Sequence, residues 1–569
     1  MLAPAMINGT ASSAAIELRL GQSLVERAVL DATELEYVRQ KRAIGERHLW
    51  QVLIEEGLVD EIQVTRMLGE ILGIDVVDVE RLESPDKTVL SLFNKEFCLH
   101  GGFLPLRRSG DKLKVLLGDA LPAEVAQKVL RRVGLACDFV MGPFSHVARL
   151  TKHTYYFAFN PPEKNVDKEV RALAADSDNT HAPAVLLDNI LHWAVRERAT
   201  DIHLTHSSSS LHVLFRIDGV LQPITAMPMA LSRLLSFIKL QAEMDIAEHR
   251  RPQDGSFRVQ VLDTQITVRV STIVAEFGER MVMRLLPESR DAKDLLTLGY
   301  FADDVAVIAR TMGSPVGLVL MTGPTGSGKS STLHAGLRQQ RLVERNVLTV
   351  EDPLEYRVCV AGQTEVNRRA GYDFSTALRH FLRHDPDVIL VGEMRDPETA
   401  RAAFEAAATG HLVLSTLHVT TVFGVVPRLR PMGLLPQEIA ENLRLVINQR
   451  LVRRNCPHCS AVVAFTAAEC VWLGVRRGTE GSRGAGCDAC RHTGFMGRLP
   501  LYEMLEVDDV LANAIADDVG REAIRRLAND SGFRPIVELG KRRVLAGQTT
   551  AEEVFRVVGE GPTDEGAAE

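Results

Sequence analysis

Gly323, Pro324, Thr325, Gly326, Ser327, Gly328, Lys329, Ser330 and Ser331 form the segment whose spacing commits this chain most clearly to chemistry. They follow the apolar run VGLVLMT and lead into STLHAGLRQQ, which fits GxxxxGK[ST] between a strand and a helix. The glycines let the backbone curl so that several N–H groups point inward at the positive end of the helix. Lys329 is then placed to reach the β- and γ-phosphates of a nucleotide, and Ser330 to hold Mg²⁺. Guanine-reading proteins carry an NKxD string, and the nearest one here is Asn94-Lys95-Glu96-Phe97, with Phe in place of Asp. ATP is therefore the expected nucleotide.

Such a site needs carboxylates at the ends of neighbouring strands. Asp387 opens the run DVILVGE, which puts Glu393 at a strand's carboxyl end, where ligands of open α/β sheets collect. Glu393 can hold Mg²⁺ or orient water. Glu351, Asp352 and Glu355 follow the run NVLTV; as a bare pattern they are ordinary turn formers.

Cys456-Pro-His-Cys459 and Cys487-Asp-Ala-Cys490 are two CxxC pairs with 27 residues between them. Four thiolates close a tetrahedral site with no open position, which predicts structural zinc, with an iron–sulfur cluster as the alternative. Cys98, Cys137, Cys359 and Cys470 have no partner pattern. The surrounding arginines (450, 453, 454, 476, 477, 483, 491 and 498) read either as a solvated face or as a contact for an anionic membrane surface or an acidic partner.

The elements that position these residues follow from patterning. At 569 residues the chain has room for several cores. Its net charge of −8 argues against a nucleic-acid-coating role. No run reaches a membrane span and no secretory signal is read, so the expected compartment is cytoplasmic. Residues 1–15 read as disordered. A weak repeat at an offset of 29 aligns Leu24–Asp31 with Leu53–Asp60 as helix–turn–helix copies. Residues 16–156 read as a mainly helical N-terminal domain, with 86–150 mixed α/β, and 157–183 as a linker. Residues 184–290 read as an α+β lobe punctuated by Asp-Gly turns at 218–219 and 254–255. Residues 291–558 alternate strands and helices, which predicts a parallel sheet covered on both faces. The acidic tail 559–569 reads as disordered.

With the phosphate loop, TVEDPLEY, LRHFLRHDPDVILVGEMRDPETA and GHLVLSTLH in that order, the chain resembles the ATPases of type II secretion and type IV pilus assembly, the GspE/PilB group. The resemblance implies an α/β architecture: a RecA-like P-loop domain with a small zinc insert, preceded by a PAS-like lobe and the helical N-terminal domain. It implies a hexameric motor, peripheral to the inner membrane, that couples ATP hydrolysis to protein secretion or pilus assembly. A pilus retraction motor and a nucleotide-binding scaffold without turnover are the alternatives. Residue by residue, it implies that Glu355 polarises water, that Glu393 is the strand-end carboxylate, and that His411 and His418 form a histidine box, with His418 sensing the γ-phosphate. Arg379 and Arg383 are implied to reach the nucleotide, and Arg269 and Arg284 of the preceding lobe to close on its phosphates. Partners implied are further copies of the chain, an inner-membrane platform protein and its cytoplasmic adaptor, met through the N-terminal domain. Some members bind cyclic di-GMP through paired RLGxxL motifs. Here Arg19-Leu20-Gly21 fits the first, but the second reads His48-Leu49-Trp50, which argues against that ligand.

Overall fold

A computed structural model describes residues 13–559, apart from 28, 43–46, 57, 80–81, 83–84, 120, 176–181, 229–232, 288–293, 339–343, 357 and 359–360. Residues 1–12, the tail from 560 and Cys359 lie outside the described residues. The chain forms two compact units, Met1–Asp291 and Ala292–Glu569.

The first unit begins with four helices, Ser13–Glu26, Ala32–Arg42, Leu49–Glu55 and Glu61–Leu72. The first helix takes in the last three residues, 13–15, of the stretch expected to be disordered. The 29-residue repeat is visible in burial. Leu20 and Leu49, Leu24 and Leu53, Leu30 and Val59, and Leu35 and Val64 are all core pairs. Three strands follow, β1 (Phe103–Ser109), β2 (Lys112–Leu117) and β3 (Ala136–Met141), in the order β1-β2-β3.

The expected linker at 157–183 is largely helical. Helices span Phe144–Phe159 and Pro162–Ala175. Pro162 suits a first helical turn, and Val166 with Val170, one turn apart, joins the core around Leu187 and Ile190. Pro161-Pro162 and Glu163-Lys164, which have linker composition, open that helix, and residues 176–181 of the expected linker lie outside the described residues.

Six antiparallel strands complete the unit: β4 (Ala199–His206), β5 (Ser210–Ile217), β6 (Val220–Pro228), β7 (Gln253–Val261), β8 (Thr264–Ala275) and β9 (Gly278–Pro287), in the order β6-β5-β4-β9-β8-β7. Asp218-Gly219 is the β5–β6 turn, both residues having positive φ, 49° and 84°. Asp254-Gly255 is not a turn and lies inside β7. Gly255 is there for space, since a Cβ would come within 2.3 Å of the Ala242 carbonyl.

The second unit is built on a seven-stranded sheet. Its strands are β10 (Gly317–Thr322), β11 (Val347–Glu351), β12 (Gly362–Glu365), β13 (Val388–Val391), β14 (Leu412–Leu417), β15 (Leu443–Asn455) and, after the separate antiparallel pair β16 (Ser460–Ala464) and β17 (Glu480–Gly484), β18 (Phe495–Glu506). The order is β12-β11-β13-β14-β10-β15-β18. Six strands are parallel, and β18 runs antiparallel to β15. The apolar runs of β10, β13 and β14 are buried throughout, as a sheet covered on both faces requires. No described helix is long and apolar enough to cross a membrane.

Candidate functional site

Because β10, β11, β13 and β14 are parallel, their carboxyl ends share one edge, and the chemistry-bearing residues gather there. The phosphate loop leaves β10 and enters the helix Lys329–Leu337. Gly326 and Gly328 have φ of 76° and 84°, values that turn successive N–H groups toward one point. Lys329 is 8% exposed, and its Nζ donates to the carbonyls of Gly323 and Pro324 at 3.0 Å each. Burial pushes its ammonium below the ordinary lysine value, while the Glu393 and Glu355 carboxylates act in the opposite direction.

Glu393 lies two residues beyond β13. Its Oε2 is 2.6 Å from Arg395 Nε and 3.6 Å from His418 Nε2. His418 follows β14, so two neighbouring strand ends bring the acid and the imidazole together. Glu355 sits four residues past β11 and is exposed; among the described residues its carboxylate makes no hydrogen bond or ion pair. Glu351, by contrast, turns inward. Its Oε2 is 2.9 Å from His334 Nε2 on the phosphate-loop helix, and its Oε1 accepts from Thr349 Oγ1 at 2.9 Å. Asp352 is 3.3 Å from Arg368.

The structure does not bring every candidate to this edge. His411 precedes β14, seven residues from His418 and thus at the opposite end of the strand, roughly 23 Å away. Its Nδ1 is 2.8 Å from the Ala406 carbonyl, closing the preceding helix. Arg379 and Arg383 belong to the helix Phe374–Phe381 and its exit, which lead to the amino end of β13. Arg379 donates to Ser375 Oγ at 3.4 Å, and Arg383 lies 2.9 Å from His380 Nδ1.

Arg269 and Arg284 belong to the first unit. They stand directly opposite one another on β8 and β9, and both are exposed. Like charges so placed are unfavourable unless a counter-charge meets them. Asp201 on β4, 5% exposed, supplies one to Arg284, accepting from its Nε at 2.9 Å.

Gln449 and Tyr300 escaped the motif search. Gln449, on β15, donates from Nε2 to the Ser327 carbonyl at 2.6 Å, and its Oε1 accepts from Thr332 Oγ1 at 2.9 Å and from the Tyr300 hydroxyl. A Cβ on Gly323 would come within 2.2 Å of the Gln449 carbonyl. The loop therefore rests on β15, a contact 122 residues away in sequence that no local pattern reveals. Gln449→Ala leaves buried polar atoms unpaired, so we expect a loss of about 1–3 kcal/mol in denaturant unfolding. Nucleotide affinity, measured by fluorescent-nucleotide titration, should weaken with it.

The four knuckle cysteines converge in the stretch between β15 and β18. Their Sγ atoms all lie within 4.8 Å of one another. Cys456–Cys487, Cys459–Cys490 and Cys487–Cys490 are separated by 3.9, 3.8 and 3.8 Å. Sulfurs at about 2.3 Å from a shared tetrahedral ion stand about 3.8 Å apart, so this donor set fits zinc. Backbone N–H groups of Gly486, Cys487 and Gly494 point at Sγ of Cys459, Cys490 and Cys490 from 3.2, 3.2 and 3.3 Å, favouring the thiolate form.

Several nearby arginines are held within the unit. Arg453 is 2.8 Å from Glu553 and stacks over Phe495 at 4.1 Å, Arg450 donates to the Val557 carbonyl at 2.6 Å, and Arg483 pairs with Glu469. Burial alone raises the Glu553 carboxyl, but hydrogen bonds from Arg556 and Arg453 bring it down to about 2.

In the N-terminal helices Trp50 is 2% exposed, stacks on His48 at 4.2 Å, and donates from Nε1 to Asp119 Oδ1 at 2.8 Å. An indole anchored in the core thus occupies the position where the second dinucleotide motif requires glycine. Arg19, of the first copy, is exposed.

Comparison with known proteins matches residues 176–556 to the family described as Type II/IV secretion system protein, and residues 72–159 to the MshEN domain. The type II secretion system protein E of Aeromonas hydrophila is 43% identical over 393 residues, 68% of this chain and 77% of that protein. The type IV pilus assembly ATPase PilB of Thermus thermophilus is 34% identical over 532 residues, 91% of this chain and 59% of that protein. Among solved structures, the Legionella pneumophila ATPase DotB aligns with a TM-score of 0.48 at 22% identity, over 65% of this chain and 95% of that one.

Proposed function

Because the chain belongs to the type II/IV secretion system protein family, in its GspE/PilB group, we propose that it is a motor ATPase whose hydrolysis step, carried out at the β10 edge, drives protein secretion or pilus assembly. The observation that carries this reading is the convergence of Lys329, Glu355, Glu393 and His418 at one sheet edge. In it, the loop 323–331 cradles the polyphosphate with its N–H groups, and Lys329 exchanges its two loop carbonyls for phosphate oxygens. Ser330 and Glu393 would hold Mg²⁺, which when bound neutralises charge on the β- and γ-phosphates. Glu355, exposed and unpaired among the described residues, orients and polarises water for attack on the γ-phosphoryl group. His418, beside Glu393, changes partner when that group leaves. Arg269 and Arg284 are assigned as donors to the phosphates, as the family resemblance implies, and Asp201 holds the Arg284 side chain through its Nε. Arg379 and Arg383, at the opposite edge, are assigned to contact with a neighbouring copy's nucleotide in a hexamer.

The chain works in the cytoplasm at the inner membrane, with zinc in the four-cysteine site. Its N-terminal domain docks on the platform protein and adaptor, and the buried Trp50 supports a protein-docking role over cyclic di-GMP. Arg476 and Arg498, both exposed beside the four-cysteine site, offer contact to an anionic lipid surface.

Phosphate release from Mg²⁺-ATP, with and without anionic vesicles, tests the reading. Glu355→Gln should keep nucleotide binding and lower turnover about 10²-fold or more. Arg269→Ala and Arg284→Ala should lower kcat. A scaffold without turnover would release no phosphate above background in the parent protein, and that result would remove the motor reading.

A further inference from the structure

The loop carrying Glu355 is tied to the phosphate-loop helix by side chains that play no part in the chemistry described so far. Tyr356, the next residue after Glu355, places its hydroxyl 2.9 Å from Ser331 Oγ, and Ser331 directly follows the Mg²⁺-side Ser330. The other end of the same residue is also held. Gln363 on β12 donates from Nε2 to the Tyr356 carbonyl at 2.9 Å, and its Oε1 accepts from the Val358 N–H at 2.8 Å. Glu351, at the root of the loop, meets His334, about one and a half turns up from Lys329, and the His334 and Tyr356 rings are 5.3 Å apart. Backbone and hydroxyl of Tyr356 are thus fixed at once, one to the sheet and one to the helix that grips the phosphates. The exposed Glu355 carboxylate has no such anchor of its own among the described residues.

We infer that Tyr356 is a positioning residue, which through its hydroxyl bond to Ser331 sets the Glu355 carboxylate at a fixed height above the phosphate loop. The inference rests on the assignment of Glu355 to water activation. A carboxylate on a mobile loop loses most of its value as a base, because catalysis requires reach within hydrogen-bond distance of the water. Tying its neighbour to the phosphate-gripping helix also makes the carboxylate follow that helix.

Steady-state hydrolysis and nucleotide titration of the full chain test it, using Tyr356→Phe, Ser331→Ala, the double variant and Glu355→Gln. Tyr356→Phe removes one oxygen and should lower kcat about tenfold while KM and nucleotide affinity stay within about twofold. The double variant should be no slower than the slower single variant, because both changes break one bond. Wild-type kcat in Tyr356→Phe beside an inactive Glu355→Gln overturns the inference and leaves the motor reading standing. So does a purely additive double variant, a change confined to KM, or a lowered melting temperature with kcat unmoved. Full activity in Glu355→Gln overturns the inference together with the assignment of Glu355 to water activation.

Discussion

Lys329→Ala should reduce ATP turnover by about 10³-fold or more without unfolding the protein. The expected size follows from where the ammonium sits. It is the cation inside a ring of main-chain groups, buried and fixed to the Gly323 and Pro324 carbonyls at 3.0 Å. A charge so preorganised acts on developing phosphate charge in a water-poor setting, where one cationic donor is worth about 10³–10⁵ in rate. Its removal leaves two carbonyl oxygens and the carboxylates of Glu355 and Glu393 facing the phosphates with no opposing ammonium, so the ground state weakens as well. Stability should move the other way or not at all. Burial already disfavours the charged form of this lysine, and the alanine lifts that cost. Thermal melting at or above the parent value, together with loss of phosphate release, is the expected pair of results. Turnover at the parent rate would end the motor reading.

The parts of this fold that were legible in the sequence are those where local geometry restricts the residue type. Positive φ at Gly326 and Gly328 needs glycine, a buried parallel strand needs an unbroken apolar run, and a closed metal site needs four soft ligands at short spacing. Contacts made at long range left no such trace. Gln449 reads as one polar residue in NQRLVRR, and only the pairing of β10 with β15 puts it under the phosphate loop. The same limit applies to His411, which shares a sequence block with His418 but is separated from it by the whole length of β14. Turn chemistry misled in one place. Asp254-Gly255 has the composition of a hairpin turn, yet its glycine answers to the Ala242 carbonyl packed against β7. The helix at Pro162–Ala175 was hidden because its buried stripe is narrow, with Val166 as its fully buried member. The direction of β18 depends on how the cysteine insert returns the chain to the sheet, and local hydropathy carries no information about that.

That insert carries the other large expected effect. Removing the metal, by prolonged chelation or by Cys456→Ser, should melt the stretch between β15 and β18 and lower the thermal midpoint of the whole unit. β16 and β17 form a two-stranded pair joined through the helix Ala467–Leu473, and a pair of strands has little stability of its own in water. Its apolar support comes from Phe465, Cys470 and Leu473 on the main core, too little to hold the knuckles closed while four thiolates less than 5 Å apart compete for space. Binding of structural zinc to four-ligand peptides releases about 10–16 kcal/mol near neutral pH, so its loss outweighs those contacts. The loss should also reach the phosphate loop, attenuated. Cys456 directly follows β15, Gln449 lies on that strand, and Asn455 is bound to the Gly547 carbonyl at 3.0 Å. The measurements are metal content, limited proteolysis and turnover on one sample. We expect one zinc per chain, chelator-dependent cleavage between 456 and 495, and a fall in kcat smaller than that of Lys329→Ala. A coloured protein carrying iron would replace zinc by a cluster. A colourless protein without metal, resistant to protease, would show that packing alone closes the site.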